Sequence, residues 1–203
     1  MKPKRFAVFV IIISVIIISL AGMRDFPQGH AQTTPGYSTI SIHVRKSGLF
    51  SAMGHNHEVS APVARADTDA KLMSAAILVH AADLKVLDTD VSDKDRAAIQ
   101  QTMLGPKVLN AEKFPDIRFV SSKIEQTSPQ HFRVTGSLEL HGVKKEITFE
   151  MTGGPQEYKG NAKLKQTDFG IEPVSAGGGT VKVKDEIELE MDIYAGEPRP
   201  GNR

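Results

Sequence analysis

Residues 131–151, HFRVTGSLELHGVKKEITFEM, decide the fold. Phe132, Val134, Leu138 and Leu140 alternate with Arg133, Thr135, Ser137 and Glu139. Beyond a tight His141-Gly142-Val143-Lys144 turn, Ile147, Phe149 and Met151 alternate with Thr148 and Glu150. Side chains of a strand point to opposite faces with a period of two, so each half of the stretch has one apolar and one wet face. The pattern predicts a hairpin, His131–Leu140 with Glu146–Met151, in a half-solvated antiparallel sheet.

Outward from this hairpin, period-two segments recur along the chain. Ile40, Ile42 and Val44 alternate with Ser41 and His43, and further strands are predicted at residues 58–69, 75–80, 117–124, 158–167 and 185–194. The last is the clearest, with Ile187, Leu189, Met191 and Ile193 set against Glu186, Glu188, Glu190 and Asp192. One helix is predicted, opening at Ser92-Asp93-Lys94-Asp95, where a serine cap and early acidic residues satisfy free amides and suit the helix dipole. Its stripe is Ala98, Ile99, Thr102 and Met103, and Gly105-Pro106 ends it. Such a helix must lie across the sheet or cap one end of a barrel. The all-β class follows, with eight strands that either stack as a sandwich or close as a barrel.

Asn110-Ala-Glu-Lys-Phe-Pro-Asp-Ile-Arg-Phe119, the Gly136-Ser-Leu-Glu-Leu-His-Gly-Val143 turn and Asp168-Phe169-Gly170-Ile171 occur in an order and spacing that resemble the YceI-like family. The likeness runs from about Tyr37 to Tyr194. It implies an eight-stranded antiparallel lipocalin-like barrel with one short helix covering an end, outside the cytoplasm, holding a polyisoprenoid or similar long-chain amphiphile. Two positions depart from the family pattern. Gln166 stands where a basic residue is usual, and Lys144-Lys145 stands where Thr-Arg is common. If that arginine anchors a polar group at the cavity mouth, this chain uses another residue or takes a less acidic head group.

At the N-terminus Lys2, Lys4 and Arg5 precede an uncharged run from Phe6 to Met23, and Gly29-His30-Ala31 offers small residues at a cleavage position. Residues 1–31 read as an export signal or, alternatively, as an uncleaved anchor that would associate the protein with a membrane. Residues 32–203 then form a single barrel domain in a periplasmic or secreted protein. Without Lys2, Lys4, Arg5, Arg24 and Asp25, the 25 basic and 24 acidic residues become 21 and 23. A net charge of minus two with no basic stripe argues against a nucleic-acid partner. Cysteine is absent, which excludes disulfides, a lipidated cysteine and thiol chemistry.

In a barrel the inward set would be Ile40, Ile42, Val44, Ile77, Val79, Ile117, Phe119, Phe132, Val134, Leu138, Leu140, Ile147, Phe149, Met151, Leu189, Met191 and Ile193. An eight-stranded barrel either fills with its own side chains or encloses one small ligand. An apolar inward face fits both. Scarce aromatics, together with Gly136, Gly160 and Ala162 in the wall, shift the balance slightly from a plain core towards a cavity, and the family resemblance implies one that would take a long-chain lipid or isoprenoid.

Gly54-His55-Asn56-His57 is the sharpest local feature. His55 and His57 could meet a metal or haem iron, with His43 and Glu58 the nearest further ligands in sequence. Without a third assured ligand, a solvated or hydrogen-bonded pair at a loop or the barrel rim is the preferred account of them. His80 and His131 are isolated, His141 is expected at the surface of its turn, and Asp83, Asp88, Asp90, Asp93 and Asp95 read as a solvated loop and helix cap. No motif links a nucleophile to a base, so no enzyme is predicted, and nothing requires a cofactor. A homodimer is compatible with the sequence.

Overall fold

The computed structural model describes residues 38–48, 54–69, 73–154, 157–176 and 181–194. The leader 1–31 lies outside them. The chain runs through β1 (Thr39–Ser47), β2 (His57–Pro62), β3 (Arg65–Asp69), β4 (Ser74–His80), β5 (Lys85–Val86) and helix α1 (Asp93–Leu104). It continues through β6 (Asp116–Ser128), β7 (His131–Leu140), β8 (Val143–Gly154), β9 (Glu157–Lys165), β10 (Ser175–Ala176) and β11 (Val181–Tyr194). The strands form one sheet in the order β3-β4-β6-β7-β8-β9-β11-β1-β2-β5, with β10 paired to β11. Every pairing is antiparallel.

The sheet curls so that β2 and β3, consecutive in the chain, come from opposite ends of this order. Pro62 has no N–H to continue the ladder, and the chain turns there. Val63 then donates its N–H to Ser38 O (3.0 Å) at the head of β1, and Ala64 donates to Leu78 O (2.9 Å) on β4. Two neighbouring amides thus tie the two margins of the sheet together.

The strand count is a correction. The structure has eleven strands among the described residues, where the alternation predicts eight. The run 58–69 splits at Pro62 into β2 and β3, which pair with different neighbours. The other additions, β5 and β10, are two residues long and carry no readable period. The predicted strand 158–167 also ends early, at Lys165, where a short 3-10 turn Gln166–Phe169 takes over.

The deciding hairpin is β7–β8, in register from His131↔Thr152 to Leu140↔Val143. His141 (φ 53°) and Gly142 (φ 75°) make its two-residue turn, both in the left-handed region that matches the twist of the flanking strands. β8 pairs with β9 only from Glu150 to Gly154. Beyond Glu150 the flank of β8 is closed by the 3-10 turn, which packs against β8, β9 and β11 and buries Phe169 to 1% exposure.

Helix α1 begins as predicted. Ser92 Oγ accepts from Asp95 N–H (3.1 Å), and Gly105 closes it by donating to the carbonyls of Gln101 and Thr102. Its inner stripe differs from the expected one: Ile99, Met103 and Leu104 pack on the core, whereas Ala98 and Thr102 are exposed. Gln100 fixes the orientation by accepting from Val86 N–H and donating to Leu84 O, both at 2.8 Å. The helix thereby covers the end of the barrel that also carries the β7–β8 turn and the 3-10 turn. At the other end lie the last residues of β3, β6 and β8 and the first residues of β4, β7 and β9.

Candidate ligand-binding cavity

A cavity of about 540 Å³ occupies the half of the barrel nearest those strand ends. Its wall comes from Ile77 on β4, Phe132 and Val134 on β7, Met151 on β8 and Ile193 on β11. The rings of Phe119 and Phe149, 5.3 Å apart and tilted by 57°, lie beneath. Phe132 meets Tyr158 edge-on at 5.8 Å near the mouth. Polar groups are confined to the rim, where Thr68, Asp69, Ser74, Gln126 and Gln130 border the opening. The volume lies within the range of roughly 300–1,000 Å³ common to small-molecule pockets.

Seven of the predicted lining residues border this space: Ile77, Phe119, Phe132, Val134, Phe149, Met151 and Ile193. The remaining ten do not. Val79, Leu138, Leu140 and Met191 are buried in the core, while Ile40, Ile42, Ile117, Ile147 and Leu189 pack against it. Val44 is half-buried towards the covered end of β1. A period of two identifies the inward face but carries no information on depth along the barrel axis.

The predicted effect of the wall glycines is overturned. A Cβ on Gly136 would stand 2.5 Å from Phe119 Cζ, and one on Gly160 would stand 2.2 Å from Met151 Sδ. Their missing side chains do not leave voids; neighbouring large side chains fill the space. Ala162 likewise packs against the core.

Several lining residues escaped the sequence reading. Ile124 and Gln126 follow a register shift between Ser121 and Lys123. That irregularity reverses parity along β6, so the inward set passes from Ile117 and Phe119 to even-numbered residues. Thr68, Met73, Ala75, Gln130 and Gly153 lie at strand ends, where alternation is too short to read.

The histidines sit elsewhere. His57 Nδ1 donates to Asp88 Oδ2 (2.7 Å), and Asp88 Oδ1 accepts from Glu58 N–H (2.8 Å). With a side chain only 1% exposed, Asp88 is a buried anchor and not the solvated loop residue expected. His55 Nδ1 lies 3.2 Å from Asp90 Oδ2 in an exposed pair, and this hydrogen bond holds the Asp90 carboxyl below its ordinary value. Both pairs flank the covered end, where β2 begins. Among the described residues no group of three His, Cys, Asp or Glu side chains is arranged to hold a metal ion.

The isolated histidines all have partners. His80 bonds Asp116 Oδ1 (2.9 Å), His131 donates to Pro129 O (2.9 Å), and His141 is half-buried against Phe169 O (3.2 Å), contrary to its expected surface position. Nor do the departures at 144–145 and 166 lie at the cavity mouth. Lys145 faces Asp168 (3.8 Å), and buried Gln166 donates to Lys184 O (2.8 Å), both at the covered end.

The family model described as YceI-like domain matches residues 32–195. A UPF0312 protein of Pseudomonas putida is 32% identical over 90 residues, 39% of this chain and 47% of that protein. A UPF0312 protein of Azotobacter vinelandii is 30% identical over 117 residues, 52% of this chain and 61% of that protein. The aligned stretch thus spans about half the length of the curated relatives it matches. Among solved structures, Burkholderia cenocepacia BcnA superposes with a TM-score of 0.57 at 20% identity, covering 78% of this chain and 96% of that one. A Campylobacter jejuni YCEI protein gives 0.52 at 19% identity, covering 77% and 86%. These last two are likenesses of fold.

Proposed function

The chain belongs to the YceI-like family, and from that footing we propose that it is an extracytoplasmic carrier that shelters one long-chain amphiphile, of polyisoprenoid, quinone or fatty-acyl type. The observation that carries the reading is the apolar cavity of about 540 Å³ with hydrogen-bonding groups restricted to its rim. A hydrocarbon chain inside it leaves water at about 0.8 kcal/mol per methylene, so ten methylenes contribute roughly 8 kcal/mol before the cost of association. The rim amides and hydroxyls of Gln126, Gln130, Ser74 and Thr68 suit a head group that exchanges hydrogen bonds. The work is desolvation and transport, with no bond made or broken. The export reading rests on the basic and apolar character of residues 1–23.

Native mass spectrometry of protein isolated from its own cells, followed by organic extraction, tests the carrier. A co-purifying lipid of defined mass is the expected result, and repeated recovery of an empty chain overturns the reading. Cell fractionation with the mass of the recovered N-terminus tests export.

One observation favours a second reading, a metal- or haem-bearing accessory role for His55 and His57. A carboxylate engages each Nδ1, which leaves Nε2 as the nitrogen facing any ion, as in histidines oriented by an outer-shell acid. Metal retention by the purified protein, before and after replacing both histidines with Ala, decides it.

A further inference from the structure

The carrier reading leaves open what length of chain the barrel accepts, and the structure holds a feature that would set it. The cavity ends abruptly. On β7 it is bordered by Phe132 and Val134 but not by Leu138 or Leu140, and on β11 by Ile193 but not by Met191. On β6 and β8 it stops at Phe119 and Phe149, which are 6% and 8% exposed. Leu138 is the cross-strand partner of Phe119, and Leu138, Leu140 and Val79 beneath it are all buried. This cavity therefore ends at an aromatic pair, with buried aliphatic side chains beyond it.

The local cause is Gly136. Its position on β7 lies diagonally from Phe119, and the space that a side chain would take there is filled by the Phe119 ring. With any larger residue the ring would have to swing away. Gly136 thus lets Phe119 lie against the wall and meet Phe149 at 5.3 Å, which closes the path towards the helix-covered end.

We infer that Phe119, laid over Gly136 and backed by Phe149, is the chain-length gauge of this barrel: an apolar chain entering at the rim is stopped at this floor, and longer chains must leave their remainder outside. The inference rests on the carrier reading and adds a specificity-determining residue to it. The physical signature is a break in the dependence of affinity on length. Each methylene that enters the cavity raises affinity about fourfold, whereas methylenes left in water add nothing.

The test uses the full-length protein and a series of straight-chain primary alcohols of roughly eight to twenty carbons, with affinities taken from displacement of a fluorescent alkyl probe. Wild type is expected to gain steadily with length and then reach a plateau. Phe119→Ala should move the plateau to longer alcohols by about two carbons or more, since the ring it removes is larger than two methylenes. Phe149→Leu trims the same floor with a smaller packing loss, and must shift the plateau in the same direction if Phe119→Ala does not fold. Leu140→Ala, which opens space below the floor, should leave the plateau where it is. No plateau in wild type, a plateau unmoved in the folded floor variants, or one moved as far by Leu140→Ala overturns the gauge while leaving the carrier intact. If wild type takes up no alcohol of any length, the carrier reading fails and the gauge falls with it.

Discussion

His141 donates its Nδ1 hydrogen to the carbonyl oxygen of Phe169 across 3.2 Å, joining the β7–β8 turn to the 3-10 turn that closes the flank of β8. Phe114 sits edge-on against the same imidazole, with centroids 4.7 Å apart. The three short motifs behind the family resemblance, spread over some sixty residues of chain, meet at this one point. Phe114, His141 and Phe169 lie at the covered end, away from the cavity, so this contact closes the barrel, whereas the other ends of the first two motifs, Phe119 and Gly136, reach the cavity floor.

Gly142 tests that assignment. Its φ of 75° costs an L-residue about 1–2 kcal/mol, and a Cβ there would approach Phe114 Cε1 to 2.5 Å. Gly142→Ala should lower unfolding free energy by roughly 1–3 kcal/mol in urea titration, with the folded fraction binding an alkyl probe as wild type does. A fully stable variant, or one that folds but does not bind the probe, would contradict the division between the two ends.

What the sequence could disclose and what it could not follow from geometry. The β7–β8 and β11 patterns were readable because one face is wet along most of each strand, so charge and apolar residues alternate without interruption. The division of 58–69 was not, since Pro62 marks a corner only once it is known that β2 and β3 have different partners. More than half of the cavity lining was hidden for a related reason. Ile124 and Gln126 enter it after a shift in β6 that period counting cannot anticipate, and depth within the barrel is set by Phe119 lying over Gly136, a contact between residues on neighbouring strands.

Two carboxylates contribute to the loss of stability in acid. Hydrogen bonds from the backbone N–H (2.9 Å) and hydroxyl (2.7 Å) of Thr167 hold the Asp185 carboxyl below its ordinary value. At Asp116 burial pushes the carboxyl up, but hydrogen bonds from His80 and Arg118 outweigh it and the net shift is downward. A depressed folded-state pKa contributes stability that is complete above the unfolded value, about 3.9, and is lost as pH falls through the folded one. Stability from these two groups should therefore be level from about pH 7 to 5 and decline below about 4. Asp185→Asn should be less stable than wild type at neutral pH, with the gap narrowing in acid. A gap that stays constant down to about pH 2 would show that the Thr167 contacts do not depend on ionisation.

The two histidines of the Gly-His-Asn-His stretch should separate cleanly in stability. His57→Ala removes one of two hydrogen bonds from a carboxylate that is almost wholly buried, and should cost about 1–3 kcal/mol. His55→Ala breaks a pair whose side chains are 48% and 64% exposed, and should change stability by no more than about 0.5 kcal/mol. Neither lines the cavity, so affinity for an alkyl probe should be unaffected in both. Equal costs for the two variants would mean that Asp88 is not the anchor of the β5–α1 connection.

Phe132 and Phe119 both border the cavity, yet they stand in different surroundings, and that difference yields a crossed comparison. Phe119 is 6% exposed and packed on Phe149 and Gly136, so Phe119→Ala should cost the roughly 3–5 kcal/mol typical of a core phenylalanine. Phe132 is only half-buried near the mouth, touching Tyr158 edge-on, and much of its ring faces the empty space. Its loss removes little packing from the unliganded barrel but takes apolar wall from the ligand. Phe132→Ala should therefore unfold at distinctly higher urea than Phe119→Ala, while its affinity for an alkyl probe falls by about tenfold. If Phe132→Ala instead destabilises as much as Phe119→Ala and binds the probe as wild type does, the space beside Phe132 is not where the chain lies.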